Sequence, residues 1–144
     1  MTKNMFYNYD VYADSVNCTC NHAKSCENMQ QVENLYNIKG EFIGIKAKEN
    51  SDFNIYFNFS SEDDLELFNL LQSSSIVLEL IDSKKDLVAT FPAFLCDHAN
   101  ECIVRLDLFN YPQIKKGKYK IYLYYIEDNV KKILYNEANL LSIK

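Results

Sequence analysis

Tyr119-Lys-Ile-Tyr-Leu-Tyr-Tyr-Ile126 is the stretch on which the reading of the whole chain turns. Tyr119, Ile121, Leu123 and Tyr125 alternate with Lys120, Tyr122, Tyr124 and Ile126, and successive side chains of an extended strand leave on opposite faces. One set must line a core. The other set leaves Tyr122 and Tyr124 outside, where aromatic rings commonly meet a partner. Glu127-Asp128-Asn129 carries turn chemistry, so Val130 to Tyr135 is expected to return as a second strand, with Leu140 to Ile143 closing the sheet.

The same alternation recurs upstream. Cys102, Val104, Leu106 and Leu108 alternate with Ile103, Arg105 and Asp107, and Ile76–Ile81 and Leu87–Phe94 flank a turn at Asp82-Ser-Lys-Lys-Asp86. Pro92 has no N–H to give a ladder, which predicts an edge or an end there. Glu41–Lys48 and Asn54–Phe59 alternate on either side of Glu49-Asn-Ser-Asp52 and are expected to form a hairpin. Ser60-Ser-Glu-Asp-Asp64 has the cap and first-turn acids of a helix start, with Leu65, Phe68 and Leu71 on one face. Residues 1–37 show no sustained period and read as an extended arm, with a helical turn over Asn28–Leu35 from the spacing of Met29, Val32 and Leu35. Residues 38–144 then form a β-sandwich domain of seven to eight strands with one short helix.

Composition narrows the function. The 144 residues are one domain's worth, and 48% hydrophobic with 14% aromatic content suffices for a core and exceeds what a disordered tail carries. Fifteen basic against twenty acidic residues give a net charge of −5, the wrong sign for neutralising phosphates, so no nucleic acid partner is expected. With three glycines, a phosphate-cradling loop is all but excluded. No apolar run approaches the roughly 20 residues of a membrane helix, so no membrane partner is expected. Met1-Thr-Lys-Asn-Met-Phe-Tyr7 lacks the apolar centre of a signal peptide, which points to a reducing compartment.

Every Cys and His falls in one of two clusters, Cys18-Thr-Cys20-Asn-His22-Ala-Lys-Ser-Cys26 and Cys96-Asp-His98-Ala-Asn-Glu-Cys102. Both contain Cys-x-His-x-x-x-Cys. Residues i and i+2 of an extended segment project to one side, and a turn brings a second thiolate round to close the bite. Thiolate and imidazole are the ligands a tetrahedral zinc site prefers. The expectation is structural zinc, one or two ions, drawn from these seven residues and clipping the arm to the domain. Two other readings stand beside it: buried thiols acting as small hydrophobes, and two disulfides with one thiol left over. A Cys–His catalytic pair has no nucleophile motif around it, and a zinc hydrolase would need an open metal position, so no enzymatic activity is expected.

From Asn54 onward the succession of elements resembles a known family. It runs Asn54-Ile-Tyr-Phe-Asn-Phe59, Asp63-Asp-Leu-Glu-Leu-Phe68, Ile76-Val-Leu-Glu-Leu80, Cys102-Ile-Val-Arg-Leu106 and Ile114-Lys-Lys-Gly-Lys-Tyr-Lys-Ile-Tyr-Leu123. The run is similar to the immunoglobulin-like N-terminal domain of phage baseplate upper proteins and to small virion Ig-like domains, over roughly the last ninety residues. Gly117-Lys-Tyr119 entering a strand is its most specific piece; the arm and the Cys/His clusters depart from it. The resemblance implies an Ig-like sandwich, no catalytic residues, and a structural part of a baseplate, tail or capsid. Such a part is assembled in the host cytoplasm, contacts other virion proteins and forms homo-oligomers. Glycan or host-surface recognition through Tyr122 and Tyr124 is the alternative role.

Overall fold

A computed structural model of the chain describes residues 9–15, 32–59, 69–72, 74–96 and 101–144. The fold is mainly β. Nine strands are present among the described residues: β1 (Tyr9–Ser15), β2 (Val32–Tyr36), β3 (Phe42–Ala47), β4 (Asp52–Phe59), β5 (Ser75–Ile81), β6 (Leu87–Cys96), β7 (Glu101–Asp107), β8 (Gly117–Glu127) and β9 (Val130–Ile143). They form one sheet in the order β1-β4-β7-β6-β5-β8-β9-β3-β2, which curls into a nearly closed barrel. Every pairing is antiparallel except β3 with β9.

Alternation builds this core as the sequence leads one to expect. Phe53, Ile55 and Phe57 of β4, Cys102, Val104 and Leu106 of β7, and Tyr119, Ile121, Leu123 and Tyr125 of β8 all point inward and are buried. Phe57 meets Tyr135 edge to face across the interior, with ring centroids 5.3 Å apart, so opposite walls of the barrel touch. The β8–β9 turn places Asp128 and Asn129 at φ 53 and 64, the left-handed pair that matches the twist of a two-residue hairpin.

Two margins hold the curl together. The first is β6, whose two ends have different partners: Leu87–Pro92 pairs with β5, and Ala93–Cys96 pairs with β7. Pro92 stays within the ladder, opposite Val77, at the point where the strand changes partners. A strand that passes from one half of the sheet to the other makes the halves continuous. For that reason the strands are not divided between two separate sheets.

The second margin is the approach of β1 to β2, between which no strand pairing is present among the described residues. The amide of Asn34 replaces it: Ala13 N donates to Asn34 Oδ1 at 2.7 Å, and Asn34 Nδ2 donates to Ala13 O at 2.9 Å. A side-chain amide has the donor and acceptor of a peptide group, so one residue of β1 is paired as if another strand lay beside it.

Three expectations change here. Residues 9–15 and 32–36 of the arm are strands of the sheet, with Val11, Ala13 and Val32 buried in the core. The Val32–Tyr36 segment is extended against β3 rather than helical; Met29 lies outside the described residues, and Leu35 is only half-buried. The stretches expected to form a β3–β4 hairpin do not pair: β3 lies between β2 and β9, and β4 lies between β1 and β7. Their connection crosses instead, anchored by Leu108 N donating to Ser51 O and by Glu49 N donating to Lys144 O. Gly44 suits that position of β3, because a Cβ there would lie 2.9 Å from Leu140 O on the parallel neighbour β9. Of the expected helix, residues 69–71 are helical and Leu71 is buried; residues 60–68 lie outside the described residues.

Replacing Asn34 with Ala removes both bonds to Ala13 and should cost about 1–3 kcal/mol in urea unfolding. Hydrogen exchange gives the local readout. The Ala13 amide should lose protection, while those of Tyr12 and Asp14, which alternate toward β4, stay protected.

Candidate interaction surface

Two of the seven expected ligands fall within the described residues. Cys18, Cys20, His22, Cys26 and His98 lie outside the described residues. Cys96 and Cys102 are described, and they occupy opposite faces of the β6–β7 hairpin. Cys96 is paired with Glu101, while Cys102 is paired with Leu95, one residue out of phase. Cys102 points inward with Val104 and Leu106 and is 0% exposed. Burial pushes its thiol up to about 12, the behaviour of a small hydrophobe rather than a ready thiolate. The strand register, one residue out of phase, does not bring these two thiols to the same face. Among the described residues, no three Cys, His, Asp or Glu side chains converge.

Tyr122 and Tyr124 are on the outer face, as alternation predicts, but Tyr124 is only 5% exposed. Its hydroxyl donates to Glu79 Oε2 at 3.0 Å, and Lys131 Nζ sits 4.6 Å above its ring while also reaching that carboxylate at 3.5 Å. Burial, and then the bond to Glu79, raise the Tyr124 hydroxyl above its ordinary value. Tyr122 is half-buried with its ring 5.2 Å from that of Tyr124. Tyr124, Glu79 and Lys131 thus form a packed cluster whose polar atoms are engaged with one another, with the Tyr122 ring against its edge.

A different surface stands out on the outer face of β1, β4, β7 and the far end of β6. The strand register sets Tyr12 beside Tyr56, Tyr56 beside Ile103, and Ile103 beside Phe94. Residues directly paired in antiparallel strands share a face, so these four make one row across four strands. Tyr12 and Tyr56 are stacked, with centroids 4.7 Å apart and planes 11° from parallel. At the other end of the row, Phe94 is 62% exposed.

Polar groups flank the row on both sides. On one side Glu101, buried at 8% exposure, accepts a 2.6 Å bond from the Tyr12 hydroxyl and a 3.4 Å bond from Asn58 Nδ2. Partial burial, then the bond to Glu101, raise the Tyr12 hydroxyl well above its ordinary range. On the other side Arg105 grips Asp52 through Nε at 3.0 Å and Nη2 at 2.6 Å. Tyr12 is therefore held at its hydroxyl by Glu101 and at its ring by Tyr56.

Sequence reading missed this row for a specific reason. Phe57 and Ile55 mark the inner face of β4, which by parity puts Tyr56 outside. Tyr12, however, falls in the stretch that reads as an extended arm, so no local pattern joins the two rings. No protein-family model matches the chain, and comparison with curated proteins gives no match.

The Cys102 thiol generates a pH prediction. The unfolded chain releases this proton near the ordinary value of 9.0, whereas the folded protein holds it to about 12. Unfolding then releases a proton across that interval, so stability is intact below pH 9 and falls as pH rises toward 12. Urea midpoints measured on this alkaline limb should fall more steeply for the native chain than for Cys102→Ala.

Proposed function

We propose that the chain is a non-enzymatic building block of a phage virion, an immunoglobulin-like module that docks other virion proteins through the outer face of β1, β4 and β7. The observation that carries the docking role is the Tyr12–Tyr56–Ile103–Phe94 row, a continuous apolar strip on the outside of a sheet. Such strips, rimmed by polar groups, are the usual mark of a protein contact. Stacked tyrosines also contribute large contact area with little rotamer entropy to lose.

Two observations support the immunoglobulin-like reading of the barrel. One half of the sheet runs β1-β4-β7-β6, which corresponds to the A-B-E-D order of such domains, and β5-β8-β9 corresponds to C-F-G. On this reading β6 serves both halves. The second is Tyr119, near the start of β8, whose hydroxyl donates to Lys115 O at 2.6 Å and accepts from Lys115 N at 3.0 Å. A tyrosine bonding back to backbone a few residues upstream is the tyrosine corner of these sandwiches.

Structural zinc belongs to the proposal in a reduced form. Its ligands are drawn from Cys18, Cys20, His22, Cys26, Cys96 and His98, with Cys102 left to the core, since one ion cannot take both Cys96 and Cys102 from opposite faces of an intact hairpin. Elemental analysis of protein purified without added metal should find zinc. The Cys20→Ser, Cys96→Ser double variant should lower both metal content and melting temperature, whereas Cys102→Ala lowers melting temperature alone. Equal metal in all three proteins contradicts the site.

Tyr56→Arg tests docking. The residue is outward and half-buried, so the variant should fold with a cost of about 1 kcal/mol or less. In particles made by the genome that encodes this chain, mass spectrometry should find the native chain and lose the variant. Absence of the native chain from purified particles contradicts the proposal.

A further inference from the structure

Where β6 parts from β7 to join β5, a notch opens in the wall of the barrel. It is an open groove of about 540 Å³ lined by Phe91, Pro92, Phe94, Arg105, Asp107, Asn110 and Tyr111. That volume lies within the range of about 300–1,000 Å³ typical of small-ligand sites. The notch exists because Leu87–Pro92 is paired on one side by β5, while β7 beyond Val104 is paired by β4. The gap is spanned by Gln113 Nε2 reaching Val88 O at 3.4 Å, and is floored by Tyr111 packed on Phe91 with centroids 4.6 Å apart.

We propose that this notch binds a short neutral oligosaccharide. Three features of its lining point to that chemistry. First, Phe94, Pro92 and Tyr111 line the groove with apolar rings, and Phe94 is 62% exposed, which leaves its ring free to cover the C–H face of a sugar. Second, the polar members are a guanidinium, a carboxylate and a carboxamide, which keep donors and acceptors for hydroxyls beyond the Arg105–Asp52 and Asn110–Asp107 bonds: a guanidinium carries five N–H groups, and each carbonyl or carboxylate oxygen two lone pairs. Third, these groups are held in place beforehand. Arg105 is fixed by Asp52, and Asn110 Nδ2 donates to Asp107.

The charge decides against an anionic ligand. The guanidinium of Arg105 is already matched by Asp52, and Asp107 adds a further negative group to the groove. The whole chain carries −5. A phosphate or sulfated sugar has no unmatched cation to meet among the lining residues, whereas a neutral polyol needs none.

This site adjoins the docking row at Phe94 but is distinct from it, since Tyr56 belongs to the row and not to the notch. The test is a titration of isotope-labelled full-length chain, followed by amide chemical shifts, with maltotriose, cellotriose, chitotriose and mannotriose, and with a heparin-derived tetrasaccharide as the anionic arm. At least one neutral trisaccharide should give saturable shifts confined to residues 91–94 and 105–111. Phe94→Ala and, separately, Asn110→Ala should each weaken that binding by about tenfold, the loss of one stacking or bidentate contact. Tyr56→Ala should leave it unchanged. No saturable shift with any neutral trisaccharide, binding to the heparin fragment alone, or shifts centred elsewhere would each overturn the inference. Because Asn110→Ala and Tyr56→Ala alter different surfaces, loss of sugar binding and loss of virion docking are separable results.

Discussion

A single large sheet with one apolar face must hide that face against itself, and here the two margins that permit it are held in different ways. At one margin a single strand, β6, is shared by both halves. At the other, where β1 meets β2, the two hydrogen bonds of the Asn34 carboxamide stand in for a ladder. Everything inside follows from this curl. Phe57 reaches Tyr135, and the inward residues of β4, β7 and β8 close on one core. Everything outside follows as well, because the seating of β1 against β4 is what lays Tyr12 on Tyr56.

The outer surface is organised by how each margin is built. The tied margin carries β1 and thus begins the aromatic row, with Glu101 holding the Tyr12 hydroxyl. The shared margin parts two strands at Pro92 and leaves a groove between them. Phe94 stands where the row and the groove meet. On the opposite half, Glu79, Tyr124 and Lys131 form a packed cluster whose members satisfy each other.

The strands were legible from local pattern, because period-two alternation is enforced by the pleat itself. Phe53, Ile55 and Phe57, or Tyr119, Ile121 and Leu123, announce their inner face in a single stretch of chain. Pairing was less legible. A turn sequence between two strands suggests a hairpin, yet β3 and β4 part company because each has longer-range partners in the sheet. The Val32–Tyr36 strand was hidden by apolar spacing of three, which a helix also satisfies. Burial of Tyr124 depends on Glu79 and Lys131, neither of which is its neighbour in sequence. The faces of Cys96 and Cys102 depend on the β6–β7 register, in which residues out of phase by one occupy opposite faces. The Asn34 bridge left no local signal, since one carboxamide in a strand resembles any other.

The account rests most heavily on β1 lying against β2 through that carboxamide. A nuclear Overhauser spectrum of the isotope-labelled protein measures it directly. The account predicts strong cross-peaks from the Asn34 side-chain amide protons to the backbone protons of Ala13. Cross-peaks from those protons only to residues of β2 and β3 would contradict it and leave the sheet open at that margin.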